Sequence, residues 1–172
     1  FGCTATLPVR TVEPQGHMFG ACTYAESALV AGRPVSGYFT CTDIDTDGFD
    51  FDWIDPGNWN AGTVTVQVWA ASVNATPTNN LVLSCSGQTV RDGVVQAARA
   101  TTGEQNLTIT FVTQYKEENA TTAAITLQGT PTAGDHILMH CDVDATGTTA
   151  TMADVRIIAA PVVRYSITSL SH

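Results

Sequence analysis

The sequence predicts an all-β protein, a jelly-roll-like antiparallel β-sandwich with an extended N-terminal strand. Three observations predict it. Apolar and polar residues alternate with period two, as half-buried strands require. Long helical periodicity is absent, while Thr, Val, Ala and Gly dominate. Clusters of Pro, Gly, Asn and Asp interrupt the apolar runs, which is turn chemistry. Many short strands with polar turns fold as a sandwich, barrel or jelly roll.

The first segment, Gly2–Val12, follows Phe1 and places Cys3, Ala5, Leu7 and Val9 with it at odd positions, giving a strand one apolar face. Pro8 lacks a backbone donor and confines that strand to an edge. Residues 1–16 therefore read as an extended arm, and residues 17–172 as a single sandwich domain without repeats. His17–Tyr24 and Val35–Thr42 follow as strands, with Glu26–Val30 between them as a place for a helical turn. In Phe49–Ile54, Phe49, Phe51 and Trp53 alternate with Asp50 and Asp52, so aromatics take one face and carboxylates the other. The turn Asp55-Pro56-Gly57-Asn58 leads to Thr63–Ala71, and Thr76-Pro77-Thr78-Asn79-Asn80 leads to Leu81–Ser86. Val94–Ala100 is a second place for a helical turn, ahead of strands Asn106–Thr113 and Ala123–Gln128. Gly129-Thr130-Pro131 precedes His136–Val143, and Ala145-Thr146-Gly147 precedes Met152–Ile167, which Pro161 divides or bends.

The length of 172 residues suits one domain with a sizeable core. No apolar run approaches a membrane span, so membrane insertion is not expected. A net charge of −9 with Lys116 as the only lysine leaves no basic patch for nucleic acid. The chain starts at Phe1 without a signal peptide, and a cleaved leader would imply export. There are five cysteines, none in a Cys-x-x-Cys pair and none with His at zinc-finger spacing. An oxidising compartment would allow two bridges within the chain and leave one thiol for a partner. In a reducing one, all five would be small buried hydrophobes.

Asp43-Ile44-Asp45-Thr46-Asp47-Gly48 opens like a calcium loop, with carboxylates at alternate positions before a turn-forming Gly. The loop fails at its twelfth position, where a bidentate carboxylate is needed and Ile54 stands. No metal is expected, and Asp43, Asp45 and Asp47 remain a weak candidate set. No serine elbow, phosphate loop or dinucleotide fingerprint occurs, so neither an enzyme nor a cofactor is expected. His136 and His140 share one face of a strand with Leu138 and Asp142. Strand residues four apart lie about 13 Å from each other, too far to share a metal. Three sequons occur, at Asn74, Asn106 and Asn119. They are meaningful as glycosylation sites only on an exported chain. Asn106 opens a strand and is expected to be the least accessible.

"FDFDWIDPGNWNAGTVTVQVWAA" resembles a pattern of bacteriophage structural proteins, in which an aromatic-alternating strand enters a Pro-x-x-Trp-[Asn/Asp]-x-Gly-Thr turn. "AAITLQGTPTAGDHILMHCDVDAT" is similar to that group's Gly-Thr-Pro and Gly-Asp turns, and "ADVRIIAAPVVRYS" resembles its closing strands. The resemblance runs from about Gly48 to Ser166. It implies a sandwich of head decoration, fibre or neck type. It departs from the pattern where the family's aromatic-rich strand carries His136, His140 and Cys141. Trp59 then reads as a lid folded over the sandwich edge rather than a sugar platform. Cys85 and Cys141 lie in core strands of the resembling region and form one candidate disulfide. Cys22 and Cys41, flanking a short excursion, form the other.

Two readings of function follow. The first is a non-enzymatic structural protomer that assembles with itself or with a capsid or tail protein, in an extracellular filament or on a virion surface. Its arm would add to a neighbour's sheet through the anchors Phe1, Cys3, Leu7 and Val9. The alternative is a carbohydrate-binding sandwich that contacts glycans through Trp59, Trp53 or Tyr115, with calcium at Asp43, Asp45 and Asp47.

Overall fold

The computed structural model describes residues 4–6, 18–19, 22–29, 31, 36–41, 47–54, 59–94, 103–132, 134–158 and 161–167. Their strands are β1 (Thr4–Thr6), β2 (Met18–Phe19), β3 (Thr23–Ser27), β4 (Ser36–Thr40), β5 (Gly48–Ile54), β6 (Trp59–Ser72), β7 (Asn79–Val90), β8 (Gln105–Phe111), β9 (Glu117–Thr121), β10 (His136–Val143), β11 (Val155–Ile158) and β12 (Val162–Ile167). One 3-10 turn, Met152–Asp154, precedes β11. The fold is the expected antiparallel β-sandwich. One sheet has five strands in the order β2-β5-β10-β7-β8. The other has seven, in the order β1-β12-β6-β11-β4-β3, with β9 on the opposite edge of β6.

Period-two patterning sets the core. From the five-stranded sheet, Phe49, Phe51 and Trp53 of β5, Ile137, Met139 and Cys141 of β10, Leu81, Leu83 and Cys85 of β7, and Leu107, Ile109 and Phe111 of β8 are buried together. Val64, Val66, Val68 and Ala70 of β6 meet them from the facing sheet, with Ile157, Val163 and Tyr165. Aromatic contacts tie the layers. Phe39 of β4 stacks on Phe49 at 5.2 Å, and Trp53 stacks on Tyr165 at 5.4 Å. Offset aromatic pairs at such spacings contribute about 0.5–1.5 kcal/mol beyond burial.

Two disulfides are present among the described residues, one between paired strands and one at the end of a ladder. Cys85 of β7 faces Cys141 of β10 in register and is bonded to it. Cys22 is bonded to Cys41, at the open end of the β3–β4 ladder. These are the pairs expected from the sequence, and they belong to chains that fold in an oxidising compartment.

Several expectations change. The predicted strand His17–Tyr24 is two strands in different sheets, β2 and β3. Glu26 and Ser27 continue β3 instead of starting a helical turn. In the other predicted helical turn, Val94 alone is described and sits in a bend; residues 95–100 lie outside the described residues. Met152–Ile167 divides at Pro161, as expected, into β11 and β12, which pair with successive stretches of β6. β9 is missed because Glu117–Thr121 has Ala120 as its one apolar residue and is half exposed, leaving no apolar alternation to read. Ala123–Gln128 does alternate, since Ile125 and Leu127 are buried, but it forms no ladder. It crosses from one sheet to the other, bridged to β6 at Val64 and to β7 at Gln88.

Of the N-terminal arm, Thr4–Thr6 forms β1 on the chain's own β12, with Ala5 opposite Tyr165. That is the place of a first strand in its own sandwich. The anchors Phe1, Cys3, Leu7 and Val9 lie outside the described residues.

Candidate binding cleft and face

Because β5 and β10 alternate, the residues opposite the core form a polar outer face. Asp50 and Asp52 of β5 point outward beside His136, Leu138, His140 and Asp142 of β10, and beside Ser84, Ser86 and Gln88 of β7. The pairing register brings carboxylates to both imidazoles. His136 is hydrogen-bonded to Asp52, and His140 Nδ1 lies 2.5 Å from Asp50 Oδ1. His140 Nε2 also lies 3.5 Å from Asp142 Oδ2. The row expected from the sequence is present, but it is not exposed throughout, since Asp142 is buried. Its pairing with Asp50 and Asp52 was not legible, because it depends on which strand lies beside β10.

A cleft opens where this face ends. β8 begins opposite Cys85, so the edge of β7 beyond that point is free to bond another segment. Gln128 takes it: Gln128 N–H donates to Gly87 O at 2.8 Å, and Thr89 N–H donates to Gln128 O at 3.0 Å. Gly129 then turns the chain away with φ +87, a conformation that favours glycine. The next turn is clamped by Arg91. Its Nε donates to Asp135 Oδ1 at 2.8 Å and its Nη2 to Asp135 Oδ2 at 2.6 Å. Nη2 also reaches Thr130 O and Thr132 Oγ1. Thr132 N–H donates to the same carboxylate at 2.8 Å. The guanidinium first, and the Thr132 donors with it, hold the buried Asp135 carboxyl well below the usual carboxylate range.

Between these walls lies a cleft of about 410 Å³, lined by Gln88, Thr89, Arg91, Val94, Gln128, Gly129 and Thr130. Its size falls in the range of small-ligand sites, roughly 300–1,000 Å³. Gln88 belongs to the outward row of β7, so cleft and outer face are continuous. The lining mixes amides and hydroxyls with Val94, which is 60% exposed. Such a surface suits a ligand with many hydroxyls and apolar C–H faces.

No family model matches the chain, and no curated protein matches it. Solved structures do. A xylan-binding CBM22-2 domain of Paenibacillus barcinonensis Xyn10C aligns with a TM-score of 0.51 at 12% identity, over 90% of this chain and 97% of that one. The CBM22-1 and GH10 modules of Clostridium thermocellum xylanase 10B, complexed with xylohexaose, align with a TM-score of 0.51 at 13% identity. There the match covers 95% of this chain and 28% of that one, so this chain spans under a third of its length. The likeness is one of fold.

The residues singled out in the sequence are distributed differently. Trp53 and Trp59 are each 6% exposed and pack on each other at 5.3 Å, inside the core. Neither presents a platform to a glycan. Trp59 is the first residue of β6 and not part of a turn. Tyr115 is 39% exposed, but it follows β8 at the end of the sheet away from the cleft. Asp47 is fully buried, with its carbonyl accepting from Val143 N–H; Asp43 and Asp45 lie outside the described residues. Asn106 is exposed, contrary to expectation, because its side chain lies on the outer face of the edge strand β8. Asn119 is also exposed, on β9. Asn74 is half-buried and donates to Asp154 Oδ2 at 3.1 Å.

Gln88, Arg91, Gln128 and Thr130 were missed as site residues. Two signals were present: the Gly-Thr-Pro turn containing Thr130, and the scarcity of cations, with seven Lys and Arg in all. Neither joins residue 91 to residue 135 without the β7–β10 register.

Proposed function

We propose that the chain is a non-catalytic glycan-binding β-sandwich module, with the β7 cleft and the adjoining outer face as its binding surface. The observation that carries this reading is the composition of the cleft. Gln88, Gln128 and Thr130 offer donors and acceptors for sugar hydroxyls, beside the exposed apolar surface of Val94. Support comes from the fold shared with two solved structures containing carbohydrate-binding modules, one of them described as xylan-binding. The disulfides agree with an exported chain, where such modules meet polysaccharides.

Affinity electrophoresis through gels containing soluble polysaccharides tests the proposal, followed by calorimetry with xylo-oligosaccharides and other oligosaccharides. Wild-type protein is expected to be retarded by at least one polysaccharide. Each lost hydrogen bond removes about 0.5–1.5 kcal/mol, so replacing both glutamines with Ala should weaken binding roughly 10–100-fold. Migration unaffected by every glycan would overturn the reading. A self-assembling fibre or virion-surface protomer is the weaker alternative, since the described part of the arm already has its partner in β12 of the same chain.

A further inference from the structure

We propose that the cleft discriminates by charge, admitting uncharged glycans and turning away those that carry carboxylate or sulfate groups, with Asp135 setting this selectivity. The inference rests on the glycan-binding reading and narrows its ligand class.

An arginine in a polar cleft is ordinarily the means of holding an anionic ligand, because its planar fork matches a carboxylate. Among the described residues lining this cleft, Arg91 is the one cation. The Nε–Nη2 edge of its fork is already bound to Asp135, and Nη2 is shared with Thr130 O and Thr132 Oγ1. Asp135 is held in turn by Thr132 through both N–H and hydroxyl. A ligand carboxylate at that edge would have to displace a carboxylate that two further donors, Thr132 N–H and hydroxyl, hold in place. The neighbouring surface adds repulsion. Asp92 follows Arg91 in sequence, and Asp50 and Asp52 stand on the adjoining face with His136 and His140. The whole chain carries −9. Arg91 thus serves as a clamp that fixes the Thr130–Asp135 wall, and the cleft is left with amides, hydroxyls and Val94 to meet uncharged sugar.

The test compares polysaccharides matched in backbone and differing in charge: hydroxyethyl- against carboxymethylcellulose, methyl-esterified against free polygalacturonate, and carboxyl-reduced against native glucuronoxylan. In whichever pair binds, the wild-type protein should prefer the uncharged member by about tenfold or more, since like charges brought together are strongly disfavoured. That affinity should not change between low and high salt. Asp135→Asn keeps the side-chain shape and releases the charge of Arg91, so it should raise affinity for the anionic member and make it salt-sensitive. Val94→Arg adds a cation at an exposed position without touching the clamp, and should do the same if the first variant does not fold. Equal or tighter wild-type binding of the anionic member would overturn the charge selection and leave the glycan-binding reading intact. Failure to bind either member of every pair would overturn both.

Discussion

Gly87 shows how closely one residue can be specified by its neighbours. A Cβ built there would lie 2.5 Å from Leu127 Cδ2 and 2.5 Å from Met139 Sδ. Both atoms belong to the packed interior, so Gly87→Ala should destabilise the fold by about 1–3 kcal/mol, the usual range for overpacking. Chemical denaturation of the purified variant measures it. Asp135 carries a different constraint. Its carboxyl is depressed by Arg91, so the clamp contributes stability above the ordinary carboxylate pKa of about 3.9, and that contribution is lost as pH falls through the lower folded-state value. Asp135→Asn should therefore flatten the acid limb of a melting-temperature profile and leave neutral-to-alkaline stability without this pH dependence. An acid limb identical to wild type would refute the assignment. At this scale, side chains with a strict alternating position were legible, Phe49, Phe51 and Trp53 above all. The cleft residues were not, because a glutamine in a strand looks the same whether it meets solvent or a ligand.

Strand character was legible wherever one face was apolar; partnership was not. His136–Val143 was read to the residue, since the alternation of Ile137, Met139, Cys141 and Val143 is unbroken. His17–Tyr24 was read as one strand because sequence does not announce a change of sheet. The disulfides depend on partnership, and they make separate predictions. Cross-linking stabilises more as the enclosed loop grows, so reducing Cys85–Cys141, 56 residues apart, should cost about 4 kcal/mol against about 3 kcal/mol for Cys22–Cys41, 19 apart. Paired Cys→Ala variants followed by calorimetry should show that order. With four of five cysteines bonded, alkylation in denaturant without reductant should add one label, at Cys3. The arm gives a further test. Because β1 lies on β12, deleting residues 1–12 should lower the melting temperature by removing a strand from the chain's own sheet. Circular dichroism and sizing of the truncated protein check this. A truncation that stays fully stable but loses an oligomeric state would instead favour donation to a neighbour.

On the scale of the whole molecule, the sandwich class followed from patterning and turn chemistry alone. The assignment of strands to layers needed long-range registers such as Leu138 opposite Asp52 and Gln88. The two layers are joined by more than side-chain packing. Thr122 and Ile125 bond to β6 of one sheet, and three residues later Gln128 bonds to β7 of the other. Residues 122–128 are therefore a main-chain strap across one side of the sandwich, with Ile125 and Leu127 buried beneath it. Such a strap removes the freedom of the layers to slide past one another or part on that side. Opening must then break both sets of bonds in a single event. The amide protons of Val64, Ile125, Gln128 and Thr89, although drawn from two sheets, should exchange with solvent at one shared free energy close to that of global unfolding. Exchange at separate, lower free energies for the two sheets would mean that the layers come apart independently. If the wall of the cleft is built on this strap, its shape should persist for as long as the molecule is folded, and a glycan would meet a preformed surface with little ordering left to do.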